Sequence, residues 1–283
     1  MTGWIEEKAC AKINLALHVL GRGQDGYHQL DSVVAFADIA DEIKLRVGKT
    51  NSLLVTGPFA NQVPAGEENI IFKSLTIASE ICASYGTSLP PLEIHLEKNL
   101  PVAAGVGGGS ADAAAFLRAV FRMFEIELTQ GQVKSLATKL GADVPVCYFQ
   151  KPARMQGIGE IISALTIKLP AAIVLINPLK PCSTQAVFQE LALNKGQNYL
   201  TPVDVESAPE WRNDLTQAAI AVEPEIKSVL ENLSAEPGFS SVRMSGSGAT
   251  CFGLVASHAA ANAAAARLAI KNPNWWVRAA SLL

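Results

Sequence analysis

Between Leu92 and Phe124 the chain passes from strand to loop to helix, and no other stretch constrains the fold so strongly. Leu92, Ile94 and Leu96 alternate with Glu93, His95 and Glu97, the period-two pattern of a half-buried strand closing at Lys98-Asn99. Pro101, Val102, Ala103, Ala104, Gly105, Val106, Gly107, Gly108, Gly109, Ser110 and Ala111 follow, with four glycines in five positions. Asp112 to Phe124 is Ala-rich helix material. Glycines let the backbone approach a ligand closely and turn N–H groups inward. A helix start adds partial positive charge, and Ser110 supplies a hydroxyl able to reach phosphate or metal. The plain alternative is a flexible loop with Ser110 or Asp112 as helix cap. A cap needs one such residue, not four glycines, so the segment reads as a phosphate cradle.

Two other glycine motifs carry less. Gly21-x-Gly23-x-x-Gly26 matches a dinucleotide fingerprint in letters, but that fingerprint needs a helix to open at the motif. Here Asp25-Gly26 signals a turn, and the chain resumes with Tyr27-His28 and the β-like Val33-Val34. Gly48-Lys49-Thr50 resembles the end of a Walker loop, yet Ile43 occupies the place of its first glycine. It reads as a polar turn between strands.

Elsewhere strands and helices mix without regular βαβ alternation, which points to an α+β fold. Ile13, Leu15, Leu17 and Val19 alternate with Asn14, Ala16, His18 and Leu20; further strands are expected at Val33–Phe36, Ile43–Val47 and Leu53–Val55. Helical spacing runs from Asn69 through Ile81, and a second helix spans Thr129 to Leu140. Texture changes near 151–160, so a boundary is expected there, giving parts 1–155 and 156–283. Beyond it come a strand at Ala171–Ile176, a helix at Thr184–Leu193 and a Pro- and Asn-dotted loop. Helices follow at Trp211–Val222 and Pro224–Leu233, then strands at Ser241–Met244 and Cys251–Val255, a helix at 258–270 and a strand near Trp275–Val277.

Composition removes several function classes. At 283 residues, 49% hydrophobic and 17% charged, the chain has ample material for a core. A net charge of −3 with scattered basic residues leaves no footprint for nucleic acid. Five separated cysteines without a CxxC pair read as reduced thiols of a cytoplasmic protein, and no cluster suits a metal. No apolar run approaches the ~18 residues of a membrane helix. The N-terminus, with Glu6 and Glu7, lacks the layout of a signal or transit peptide. Oligomeric state is not legible.

Ala11-Lys12-Ile13-Asn14-Leu15, the 101–112 loop and Ser245-Gly246-Ser247-Gly248 resemble, in this order, the three motifs of the GHMP kinase superfamily. Arg22, Asp25-Gly26-Tyr27-His28, Gly141-Ala-Asp-Val-Pro145 and Arg243-Met244 narrow the resemblance to the branch acting on a cytidyl-linked methylerythritol in non-mevalonate isoprenoid synthesis. The resemblance implies two α+β lobes with the catalytic centre in the cleft between them, and ATP with Mg²⁺ phosphorylating the 2-hydroxyl of that small molecule. It assigns Lys12 and Asp143 as catalytic pair and the 101–111 loop to the phosphates. Asn69 and Lys98 fall where adenine is held, Asn14, Tyr27 and His28 at the substrate pocket, and Phe188 where a ring stacks on cytosine. Ala103 and Ala104 stand where the family has Gly, Ala111 where a second Ser is common, Val106 for Leu and Gly23 for Pro.

The residues themselves bear part of this. Lys12 is a charge in an otherwise apolar strand, an odd place without a role or partner. Asp143, between Gly141 and Pro145, reads as a carboxylate on a rigid connector. A carboxylate near a cation stays ionised and takes a proton from an alcohol. Phe188 alone reads as core. Rival readings are a mevalonate- or homoserine-type kinase, a non-catalytic nucleotide-binding regulator, and a Rossmann oxidoreductase.

Overall fold

A computed structural model of the chain describes residues 3–64, 66–198, 202–204 and 210–283. Residues 199–201 and 205–209 of the Pro- and Asn-dotted loop expected after Leu193 lie outside the described residues. In chain order the strands and helices are β1 (Ile5–Arg22), β2 (His28–Val47), β3 (Ser52–Thr56), α1 (Ile70–Ser84), β4 (Leu92–Glu97), α2 (Gly108–Met123), α3 (Gln130–Leu140), α4 (Val144–Phe149), β5 (Ala153–Gly157) and β6 (Ile161–Ala164). They continue with β7 (Ala172–Asn177), α5 (Thr184–Glu190), α6 (Thr216–Val222), α7 (Glu225–Ala235), β8 (Phe239–Met244), β9 (Cys251–Val255), α8 (His258–Lys271) and β10 (Trp276–Ser281). The fold is α+β.

The chain forms two compact units, and neither is one continuous segment. Unit 1 takes the segment ending at Ala11, Ile39–Val102 and Gly107–Gln150; unit 2 takes Lys12–Asp38, Ala103–Val106 and the segment from Lys151 onward. The division expected at 155/156 is therefore interleaved instead of linear. Its physical origin is the length of β1 and β2, 18 and 20 residues, each of which runs through both units. The expected strands at 33–36 and 43–47 are one strand, because 37–42 stays extended between them.

In unit 1, β4 lies between β3, parallel to it, and the second half of β2, antiparallel to it. Leu92, Ile94 and Leu96 of β4 are buried as their alternation predicts. α2 buries Ala111 through Leu117 without a break, so its alanines are packing surface. α1 and α4 pack on it, and such close approach tolerates only small side chains.

In unit 2 the first half of β2 pairs with β5, which pairs with β6. A separate antiparallel sheet runs β10-β7-β9-β8, and β7 at its interior is buried on both faces. Val187, Leu215, Ile226, Val229 and Leu268 fill the core against it.

The helix expected from Trp211 begins only at Thr216. Residues 212–214 instead lie beside β1: Leu17 N donates to Arg212 O and Asp214 N to Leu17 O. Asn213 accepts from Leu215 N, a local bond that starts the helix late.

Candidate active site

In unit 1 the glycine-rich segment ends as the N-terminus of α2. Gly107 caps that helix in the left-handed region, φ 66, and no side chain caps it. The first N–H groups of a helix have no partner within it, so this end presents donors and partial positive charge. Gly108 and Gly109 are free of the usual reasons for glycine. A Cβ on Gly109 would meet nothing within 4 Å. One on Gly108 would find only ordinary contacts, 3.5 Å to Lys98 Nζ and 3.8 Å to Asp41 Oδ2. Among the described residues no neighbour demands bare backbone at 108–109. Backbone without side chains is what close approach of a ligand requires.

Beneath this turn lies a buried ionic triad. Lys98 Nζ donates to Asp41 Oδ2 at 2.5 Å and to Asp112 Oδ2 at 2.7 Å. Asp41 Oδ1 accepts from Asn99 N at 2.6 Å and Leu100 N at 2.8 Å. Burial alone lowers the Lys98 ammonium, but Asp112 and Asp41 outweigh it and hold it above its ordinary value. Burial pushes the Asp112 carboxyl well up, Lys98 opposing and Asp41 adding to the rise. Asp112 Oδ1 has no partner among the described residues. Asn69 caps α1, accepting from Ile71 N at 2.9 Å while its Nδ2 donates to Pro64 O at 2.7 Å. Asn69 and Lys98 are both buried, yet each keeps at least one N–H beyond the bonds named. Asp143 is half-buried at the start of α4. The expected rigid connector is this short helix, with Pro145 in its first turn where a missing N–H is harmless.

In unit 2, residues 103–106 are locked in place. Val106 O accepts from Lys12 N at 2.9 Å, and Ala104 O from Thr250 N at 3.1 Å. Ser245 Oγ donates to Gly105 O at 2.9 Å and accepts from Asn14 N at 3.0 Å. A Cβ on Gly105 would collide with the Ser245 carbonyl oxygen and lie 2.9 Å from Gly248 O. Ala103 adopts φ 52, a left-handed conformation in which an alanine is strained.

Lys12 and Asn14 are both buried on β1. Asn14 Nδ2 donates to Ser32 Oγ at 2.7 Å, and its Oδ1 is left without a partner among the described residues. The His28 and Phe188 rings, far apart in sequence, meet with centroids 4.7 Å apart and planes tilted by 32°. His28 Nε2 is buried without a partner among the described residues, and Tyr27 beside it is 61% exposed. Arg22 orders this turn, donating from Nε to Gly26 O and from Nη1 to Leu193 O. Burial, helped by the Arg22 charge, holds the His28 imidazole below its ordinary value and so neutral.

Residues 69–151 match the GHMP kinases N terminal domain, and residues 204–274 match the GHMP kinases C terminal domain. The chain belongs to the GHMP kinase family. It is 45% identical to the 4-diphosphocytidyl-2-C-methyl-D-erythritol kinase of Agrobacterium fabrum, over 96% of this chain and 94% of that one. It is 44% identical to the enzyme of that name from Paramagnetospirillum magneticum, over 98% of each. Among solved structures, a 4-(cytidine 5'-diphospho)-2C-methyl-D-erythritol kinase superposes with a TM-score of 0.79 at 31% identity, covering 98% of each chain. A homoserine kinase from Cytophaga hutchinsonii, TM-score 0.65 at 16% identity, shares the fold.

For this GHMP kinase, sequence reasoning singled out Lys98 and the glycine loop but missed Asp41 and Asn213. Asp41 is one polar residue in the long strand β2, and no spacing ties it to a lysine 57 positions on. Asn213, whose Nδ2 donates to Met244 O and Gly246 O, falls inside the helix expected at Trp211–Val222, where nothing marks it. Asp41's complete burial is the signal that matters, and it exists only in three dimensions.

Proposed function

We propose that this kinase transfers the γ-phosphoryl group of ATP to the 2-hydroxyl of 4-diphosphocytidyl-2-C-methyl-D-erythritol. The observation that carries the ATP site is the pair Gly108 and Gly109, whose lack of side chains no neighbour in the chain requires. The near-full-length relatives named as kinases of that cytidyl compound support the acceptor. The 101–111 segment takes the phosphates, with the open N-terminus of α2 facing their charge. Asn69 and Lys98 support the adenine side, each by a remaining N–H and by the order it imposes on the chain.

The His28–Phe188 pair suits a pyrimidine, the Phe188 ring as stacking face and neutral His28 as donor and acceptor along the base edge. Asn14 Oδ1 and Tyr27 complete the acceptor's contacts. Asp143 takes the proton of the 2-hydroxyl as its oxygen bonds to the γ-phosphorus and the bond to the β–γ bridging oxygen breaks, releasing ADP. Lys12 offsets negative charge on the transferring group. Ser110, half-exposed at the helix start, would offer a hydroxyl to an Mg²⁺ ion accompanying ATP, which would neutralise phosphate charge.

In functional terms the part up to about residue 155 binds ATP and the remainder completes the acceptor site. The compartment is the cytoplasm, which the five buried free thiols suit. No helix among the described residues is long and apolar enough to cross a membrane.

A coupled ADP-release assay with the cytidyl substrate beside mevalonate and homoserine tests the assignment. ADP release confined to the cytidyl compound is the expected result. Preferential turnover of mevalonate or homoserine would replace the acceptor, and no release with any of the three would remove the reading.

A further inference from the structure

We propose that Asp41 is a positioning residue for ATP, fixing the start of the phosphate loop to the helix that bears Gly108 and Gly109. One carboxylate reaches both places. Its Oδ1 accepts the consecutive amides of Asn99 and Leu100, where the chain leaves β4 for the loop. Its Oδ2 accepts from Lys98, whose ammonium also binds Asp112 in α2. The chain on one flank of the loop and the helix on the other are thus tied through a single point.

Geometry places that point under the cradle. The atoms nearest a would-be side chain on Gly108 are Lys98 Nζ and Asp41 Oδ2. A change in the Asp41–Lys98 contact therefore displaces the backbone that the phosphates are proposed to touch. Asp41, Lys98 and Asp112 are 0%, 2% and 3% exposed. Three buried ionisable groups are a poor device for stability alone, since apolar packing of the same volume does as well or better. They are an effective device for holding a position, because the bonds are short, charge-assisted and directional.

The three groups do not contribute equally. With one ammonium and two carboxylates out of water, one carboxyl is better protonated, and burial drives Asp112 toward that neutral form. Asp41 carries the greater share of the bonding. It accepts three hydrogen bonds, whereas Asp112 accepts one from Lys98 and leaves Oδ1 unpartnered. Asn at 112 therefore alters one contact to Lys98, while Asn at 41 disturbs the bonds to Lys98, Asn99 and Leu100 together.

This inference rests on the reading of 107–111 as the phosphate site, and the experiment separates the two. ATP affinity, KM for ATP and KM for the alcohol are measured for wild type, Asp41→Asn, Asp112→Asn and Asp31→Asn. Asp31 is an equally buried carboxylate, paired with Arg154 at 2.6 Å in unit 2, and serves as the control for lost buried charge. Asp41→Asn is expected to raise KM for ATP by up to about 10²-fold, the scale of loss that a misplacement of about 1 Å from a distant change can cause. KM for the alcohol should hold, and Asp112→Asn should show a smaller rise. Asp31→Asn should lower melting temperature without moving KM for ATP. A folded Asp41→Asn protein with wild-type ATP affinity, or one whose kinetics change only as those of Asp31→Asn do, overturns the positioning role. If Asp41→Asn does not fold, Asp41→Glu retains the charge one methylene out of place; unchanged KM for ATP in that variant overturns the role equally. Wild-type protein that binds no ATP takes down the phosphate-site reading and this inference together.

Discussion

The two stretches of the glycine-rich segment use glycine for opposite reasons. At 103–106, in unit 2, the backbone is bonded to β1 and to the 245–250 turn, and Gly105 has no room for a Cβ. At 107–109, in unit 1, Gly107 supplies a left-handed cap while Gly108 and Gly109 have room to spare. One stretch is locked by its own chain. The other is left bare by its own chain, which is the basis of the proposed phosphate site. A count of glycines cannot separate these cases; the space around each missing Cβ can.

The largest expected effect tests the proposed chemistry. Asp143→Asn keeps size and polarity but removes the carboxylate proposed to take the proton, so turnover should fall by ~10²–10⁴ with binding less affected. Near-normal turnover in that variant would leave transfer to positioning and electrostatics alone.

Gly105→Ala and Gly109→Ala address the comparison most directly. The first forces a side chain into backbone at φ 74 and should destabilise by about 2–4 kcal/mol, read as a lower melting temperature. The second should hold or raise stability, since Ala in a helix gains roughly 0.5–1 kcal/mol over Gly, while weakening ATP. Equal losses of stability in both would erase the distinction between locked and bare.

Away from the loop, Phe188 sits at the edge of the unit 2 core and against His28, so it has two roles to separate. Phe188→Ala should weaken the cytidyl substrate by ~1–3 kcal/mol, the scale of base stacking on aromatics, with ATP barely changed. A matched loss for both ligands, or a collapse in melting temperature, returns the ring to the core.

The smallest effect is in pH dependence. His28 is held below the ordinary histidine value of 6.5, so its stabilising contribution is fully present above 6.5 and is lost as pH falls through the lower folded value. KM for the cytidyl substrate should stay flat from neutral pH down past 6.5 and rise only below it. Arg22→Gln should shift that rise to higher pH by removing the guanidinium charge. An inflexion at or above 6.5 in the wild type would contradict the neutral imidazole.

Much of this was legible along the chain because the signals were local. The alternation of Leu92, Ile94 and Leu96, the helical spacing that starts at Asn69, and the Asp25-Gly26 turn each involve residues a few positions apart. Their physics is short-range: a strand alternates, a helix repeats its apolar face every three to four residues, a turn needs Gly. Where local signals failed, distant partners had prevailed. Trp211 to Leu215 has helical letters, but β1 draws 212–214 alongside itself and postpones the helix.

The sequence by itself determined the α+β class and most of its elements, the ordered GHMP motifs and the glycine cluster, since each is written in neighbouring residues. Tertiary structure decided which groups act together. Asp41 met Lys98, Ser245 met Gly105 across 140 positions, and His28 met Phe188. It also decided which glycines are crowded and which are bare. Periodicity reports whether a residue faces inward, whereas the identity of its partner follows from how long strands and packed helices close the chain on itself. That closure turned a polar residue in a buried strand into the floor of the proposed phosphate site.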